Sequence, residues 1–195
     1  MAAIRESLRL RPGSAVPRGG FLLGCSEVRY RALVQAADVL VLEVGRQVAG
    51  FAVTLPDAVL RASELWARRG RIFWHAGHGE PPAHERIAYF DQLALAPTAS
   101  RLYGPVLALA ALRGVADHGH RRVYATTLRA PMRNRAALAL IESVGGRLVG
   151  HVTEQYEDVG EVTSDLHEIA LPEALAAALA TTVGARTVSS LRLAA

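Results

Sequence analysis

Two runs in the first third of the chain are dense in β-branched and aliphatic residues: 38–44 (DVLVLEV) and 47–55 (QVAGFAVTL). Only Gly45 and Arg46 separate them, which predicts two strands joined by a tight hairpin turn. Pro56 and Asp57 close the second run and open a helical stretch to about Arg69. Residues 86–95 (RIAYFDQLAL) read as a strand. Leu102, Val106, Leu109, Leu112 and Ala116 then recur at three and four residues, the stripe of an amphipathic helix over about 104–118. Gly104 suits its N-cap and Pro105 its first helical position. A strand over 121–128, a helix over 134–144 stopped by Gly145 and Gly146, and closing strands over 147–155 and 162–170 follow. Residues 172–180 form an alanine-rich helix, and the remainder to Ala195 reads as a loosely held tail. Ahead of the hairpin, 8–11 is a short strand candidate, and Ser26 is placed to cap a helix. Strands and helices in this order mean an α/β or α+β sheet protein.

Composition narrows the picture. At 195 residues, 51% hydrophobic and 21% charged, the chain is expected to fold as one domain over 1–171, with 172–195 as a C-terminal helix and tail. Its single cysteine, Cys25, cannot form an internal disulfide and reads as a core residue. No apolar run reaches the ~18 to 20 residues that span a bilayer, and the first twenty residues lack the apolar stretch of a signal peptide. The expectation is a cytoplasmic protein with no membrane partner. All 22 basic residues are arginines, which excludes a Schiff-base lysine and a lysine-dependent phosphate loop. The arginines are scattered and the net charge is only +4, so nucleic acid is disfavoured while anionic ligands remain compatible. The irregular segment 71–85 holds His75 and His78, with His84 near its end. It has neither a nearby cysteine nor a helical H-E-x-x-H, so it reads as a substrate-side loop, with no metal expected.

The chemistry concentrates in 91–106, DQLALAPTASRLYGPV. A strand runs into a loop and then into a helix whose start would offer unpaired amides and the positive end of the macrodipole. Arg101 stands just before it. On these residues alone, an anion site and a routine strand-to-helix connection both fit.

From Asp38 to about Leu171 the sequence resembles the GNAT superfamily of acyl-coenzyme A-dependent N-acyltransferases. The resemblance rests on the hairpin, on YFDQLALAP and RLYGPV before the long helix, and on NRAALALIESVGG after RRVYATTL. It implies a mixed, mostly antiparallel central sheet flanked by helices, with splayed strands forming an acyl-CoA cleft. It implies acetyl-CoA or another acyl-CoA as co-substrate and a small-molecule or peptide amine as acceptor. A homodimer is a further expectation from the family. The backbone of Leu93, Ala94 and Leu95 would pair with the pantetheine arm. Arg101, Gly104 and Val106 fall on the pyrophosphate signature, with Leu102, Tyr103 and Pro105 between them, and Asn134 would line the cofactor cleft.

Four positions depart from the family pattern. Val106 replaces a small residue, Pro105 removes an amide, Ile141 stands where many members carry an acid-acting tyrosine, and Gly146 replaces a common aromatic. They motivate a second reading, a GNAT-fold acyl-CoA-binding sensor or assembly protein with weak or no catalysis. Acyl transfer needs a base near the amine and a proton for the departing thiolate. Strand alternation puts Tyr89, Asp91, Leu93 and Leu95 on one face. Family members often keep a carboxylate on this strand, so Asp91 is the first base candidate. Tyr103 is the first acid candidate, with Tyr124, Tyr156 and His151 as alternatives. The acceptor pocket is expected between 71–85 and the hairpin at 155–161.

Overall fold

The hairpin forms as the pattern predicts, and a sheet grows from it. The computed structural model describes residues 1–9, 27–156 and 159–180. Strand β1 (Asp38–Val44) pairs antiparallel with β2 (Gln47–Leu55) across the Gly45–Arg46 turn, where Gly45 takes φ 65°. That left-handed conformation suits a residue without Cβ. Strands β3 (Phe73–Trp74), β4 (Ile87–Leu95), β5 (Arg122–Ala130), β6 (Arg147–Tyr156) and β7 (Gly160–Ala170) complete a seven-stranded sheet in the order β1-β2-β4-β5-β7-β6-β3. Among the described residues, only β4 and β5 run parallel. The sheet is mixed and mostly antiparallel, as expected.

Helices cover both faces. On one lie α1 (Ala2–Ser7) and α2 (Glu27–Ala36), whose Ile4 and Tyr30 pack on Phe51 and Val53 of β2 and Ala94 of β4. The short helices α3 (Asp57–Arg61) and α4 (Glu64–Ala67), a 3-10 turn (Arg69–Arg71) and β3 form a strap that crosses the same face. The other face carries α5 (Tyr103–Asp117) and α6 (Arg135–Ser143), and α7 (Leu171–Leu179) joins its core. There Leu112 and Val115 of α5 meet Val123, Ala125, Ile141, Ile169 and Leu171.

Several expectations are corrected. The single helix expected to Arg69 is broken into α3, α4 and the 3-10 turn. Ser63 ends α3 by donating to the Leu60 carbonyl, then caps α4 by accepting from the Trp66 amide. Such a side chain competes with the backbone and favours restarting a helix over continuing it. The loop 71–85 contains a strand too short for a periodicity signal: Phe73 and Trp74 pair with His151 and Gly150 at the sheet edge. Residues 2–7 are helical, which the pattern does not predict. The strand candidate at 8–11 lies half outside the described residues. Cys25, Ser26 and the tail beyond residue 180 lie wholly outside them.

Two devices fasten the strap. Asp57 Oδ1 accepts from the Ile87 amide at 3.1 Å, and Arg61 holds the same carboxylate at 2.9 Å. The Asp57 amide donates to His120 Nε2 at 3.3 Å, which leaves Nδ1 as the protonated nitrogen facing the Val115 carbonyl. No helix of the described residues is long and apolar enough to cross a membrane.

Candidate functional site

The site begins where two strands part. Parallel pairing of β4 with β5 is confined to Ile87–Arg122, Ala88–Val123, Tyr89–Tyr124 and Phe90–Ala125. Beyond Phe90 the strands diverge, so 91–95 keep β2 as a neighbour and, among the described residues, have no strand on the other side. Their backbone donors and acceptors on that edge face an open wedge. Such groups need a partner when covered.

A β-bulge sits at the opening. Val53 pairs with Gln92 and Thr54 with Phe90, so Asp91 is the extra residue of β4. An inserted residue breaks the period of two and reverses every side chain that follows. Tyr89 therefore packs on the strap face with Leu55, Leu60 and Tyr124, whereas Leu93 and Leu95 pack on the opposite face against Leu107. The alternation that placed Tyr89, Leu93 and Leu95 together does not hold. Ala94 is buried toward α1 and α2. Side chains on both faces thus pin the strand and leave its free edge as backbone.

Asp91 Oδ2 accepts from Gln92 Nε2 at 2.8 Å. The Tyr89 hydroxyl lies 2.6 Å from Thr126 Oγ1, a contact that bridges β4 to β5 at the mouth of the wedge. Burial pushes the Tyr89 pKa well above its ordinary value, and the Asp91 carboxylate adds to the rise. Tyr89 is held protonated. Sequence reading overlooks Tyr89 and Thr126 as partners, because only the parallel register brings residues 37 apart in the chain together.

Helix α5 starts earlier than the pattern predicts. Tyr103 is its first residue and Leu102 its N-cap, in helical conformation and without a side-chain cap bond. Pro105 therefore occupies the third helical position. The first amides of a helix have no acceptor in their own helix, so proline is tolerated there as well. The start is closed by local bonds: Leu102 N to Ser100 Oγ at 3.3 Å, Tyr103 N to Ser100 O at 3.1 Å and Gly104 N to Arg101 O at 3.1 Å. A Cβ on Gly104 would meet only Leu95 Cδ1, at 3.7 Å. Arg101, Leu102 and Pro105 are exposed, and Tyr103 and Val106 are half-buried.

These features test the fit to a coenzyme. The backbone edge of Leu93–Leu95 suits a chain-like ligand carrying amides. At the helix start, the long bond from the Leu102 amide to Ser100 Oγ can be released to an anion with Arg101 beside it. The residues fit, with fewer amides available than an uncapped start would give.

Asn134 caps α6, its Oδ1 accepting from the Ala137 amide at 3.1 Å. Ile141 is buried in the core between α5 and the sheet, so that position presents no polar group. Tyr124 is buried, and its hydroxyl is tied to Glu168 at 3.3 Å and Arg122 at 3.4 Å. His151 alternates away from Val152 and Glu154 and stacks on Phe73, with centroids 5.0 Å apart, on the face opposite the strap. It does not reach the strap side. Tyr156 donates to Glu154 Oε2 at 3.4 Å.

Under the strap lies a pocket that shares Tyr89, Tyr124 and Thr126 with the wedge. Trp66 and Trp74 wall it, and Glu154 and Arg68, 2.7 Å apart, stand in its lining. Glu80 and Pro81 of the 71–85 segment close one side. Among the described residues, no three His, Cys, Asp or Glu side chains gather as a metal site.

A parallel pair that splays after four residues, a bulge at the split and a helix start facing it form a recognisable architecture. The chain has the GNAT fold. Solved structures superpose on it across most of its length. A ribosomal-protein-alanine N-acetyltransferase from Brucella melitensis does so with a TM-score of 0.54 and 16% identity, over 86% of this chain and 90% of that one. An N-acetyltransferase from Staphylococcus aureus Mu50 gives 0.51 and 13%, over 87% and 89%. A GNAT family acetyltransferase from Elizabethkingia anophelis with acetyl-CoA bound gives 0.50 and 11%, over 83% and 94%. No family model and no curated protein matches the sequence. At these identities the GNAT likeness is one of fold, carried by a strongly diverged sequence.

Proposed function

We propose that this protein transfers an acyl group, acetyl or another, from coenzyme A to an amine by direct attack. The observation that carries the reading is the splay of β4 from β5, with the Tyr89–Thr126 pair at its mouth and the free edge of Leu93–Leu95 along one side. The Elizabethkingia structure of the same fold holds acetyl-CoA, which supports a coenzyme in the wedge. Leu93, Ala94 and Leu95 would bind the pantetheine arm through their backbone. Arg101 and the turn through Leu102, Tyr103, Gly104, Pro105 and Val106 would hold the pyrophosphate, with Asn134 on the far wall.

The bound coenzyme supplies an activated thioester. The ammonium form of the acceptor first loses a proton, for which Asp91 at the bulge is the base. The amine nitrogen then bonds to the thioester carbonyl carbon and the carbon–sulfur bond breaks. The leaving thiolate takes one proton, and the new amide nitrogen sheds one. Tyr89, whose hydroxyl is fixed by Thr126 where the strands part, is better placed to give that proton than Tyr103, whose hydroxyl makes no hydrogen bond among the described residues. Thr126 orients the Tyr89 hydroxyl.

Calorimetry with acetyl-CoA tests the first half of this reading, and coenzyme A release against an amine panel tests the second. No heat at millimolar coenzyme would overturn it. Buried Ile141 in place of a tyrosine, with Pro105 and Val106 in the turn, favours the alternative of a coenzyme-binding sensor. Tight binding with no release on any amine would establish that alternative.

A further inference from the structure

The pocket under the strap carries information about its occupant. Leu65, Trp66, Ile72, Trp74 and Leu166 make it strongly apolar. The Trp66 ring is held in place by the guanidinium groups of Arg61 and Arg69, at 4.7 and 4.9 Å from its centroid. Within this apolar lining the Arg68–Glu154 pair has side-chain exposures of 34% and 10%. Glu154 also accepts from the Tyr156 hydroxyl. Tyr89 and Thr126 lie in the same lining, so the pocket reaches the mouth of the wedge.

An occupant that engages this ion pair must open it. A simple ammonium group would satisfy Glu154 and leave Arg68 without its carboxylate. A simple carboxylate would satisfy Arg68 and strand the far more buried Glu154, which is the costlier outcome. A zwitterion carrying both groups on one carbon exchanges one ion pair for two and leaves neither charge alone. Its side chain then meets apolar walls, where burial is favourable. A peptide N-terminus offers the ammonium without the carboxylate and leaves Arg68 unmatched.

We infer that the acceptor is a free α-amino acid with a hydrophobic side chain, its ammonium on Glu154, its carboxylate on Arg68 and its side chain between Trp66 and Trp74. The inference rests on the acyltransfer reading and goes beyond it by naming the acceptor class. In the reaction Glu154 places the amine beside Asp91 and Tyr89, and the products are an N-acyl amino acid, free coenzyme A thiol and one released proton.

The chain has two tryptophans and both line this pocket, so intrinsic fluorescence reports its occupancy. The test titrates L-leucine, isoamylamine (no carboxylate), N-acetyl-leucine (no cationic amine) and leucinamide into the wild-type protein, with and without coenzyme A. L-leucine should bind at least ten times more tightly than each of the other three. Arg68→Gln should bring leucine and isoamylamine to the same affinity, and Glu154→Gln should bring leucine and N-acetyl-leucine together. Isoamylamine or leucinamide binding as tightly as leucine overturns the inference, as does no fluorescence change with any of the four. The wild-type series does not depend on whether the variants fold. Leucine binding without coenzyme A release on adding acetyl-CoA overturns the acyltransfer reading and leaves the amino-acid site standing. Release with isoamylamine but not leucine overturns the amino-acid inference alone.

Discussion

The Tyr89 hydroxyl on β4 lies 2.6 Å from the Thr126 hydroxyl on β5, at the place where this parallel strand pair comes apart. This contact bridges β4 to β5 at the mouth of the wedge, with the phenol protonated. The bond has two candidate roles, holding the strands and delivering a proton, and they can be separated.

Tyr89→Phe keeps the ring and removes the hydroxyl. Unfolding in urea should show a loss of about 1 kcal/mol for the missing hydrogen bond. Turnover should fall by about 100-fold or more if the hydroxyl is the acid. The Tyr89 pKa is raised by burial, so its stabilising effect is complete below the ordinary value of 10.0 and is lost as pH climbs above it. Wild type should therefore lose more stability than the variant above about pH 10. Equal alkaline profiles would show that burial does not hold the phenol protonated.

Asp91→Asn retains a group able to accept from Gln92 and deletes the charge. Release of coenzyme A should drop by about 100-fold, the usual scale for a lost general base. Affinity for acetyl-CoA, read by calorimetry, should be unchanged. Full turnover in this variant would remove Asp91 from the mechanism.

Gly150 is the residue on which β3 rests. A Cβ there would stand 2.7 Å from the Phe73 carbonyl oxygen. Gly150→Ala should push the strap edge outward, with a cost of about 1–3 kcal/mol. Trp74 lies next in β3 and walls the pocket, so its fluorescence should shift and acceptor affinity should weaken. Coenzyme affinity should hold, because the wedge is built by other strands. A parallel loss of both affinities would contradict this division.

His167 is buried on the α6 side of β7, and burial lowers its pKa from 6.5 despite the neighbouring Asp165. Its neutral form is the one the fold accommodates. Stability from this group is present above about pH 6.5 and is lost as pH falls through the lowered value. Denaturant midpoints should decline in that acid window, and His167→Gln should flatten the decline. An identical slope in both proteins would assign the acid sensitivity to other groups.

Much of this arrangement is legible in the chain. The hairpin, β4, α5, β5, α6 and the last two strands follow from alternation, stripe spacing and glycine stops within a residue or two. The 91–106 segment is legible as a strand, a loop and a helix start. Less legible are the bulge at Asp91, the short β3 and the start of α5. A bulge leaves no mark on local hydrophobic pattern, since both faces of β4 are buried and either parity reads as apolar. A two-residue strand has no period. Proline fits anywhere in a first turn, so Pro105 could not place the helix start.

By itself the sequence determined the elements and the absence of lysine chemistry, because each depends on residues close together in the chain or on composition alone. Tertiary structure decided which side chains share a site. The parallel register set Tyr89 against Thr126, the bulge turned Leu93 and Leu95 away from Tyr89, and the strap carried Trp66, Arg68 and Trp74 over the face that bears Glu154. Each of these depends on contacts between residues far apart in sequence, where burial and strand pairing act and local propensity is silent.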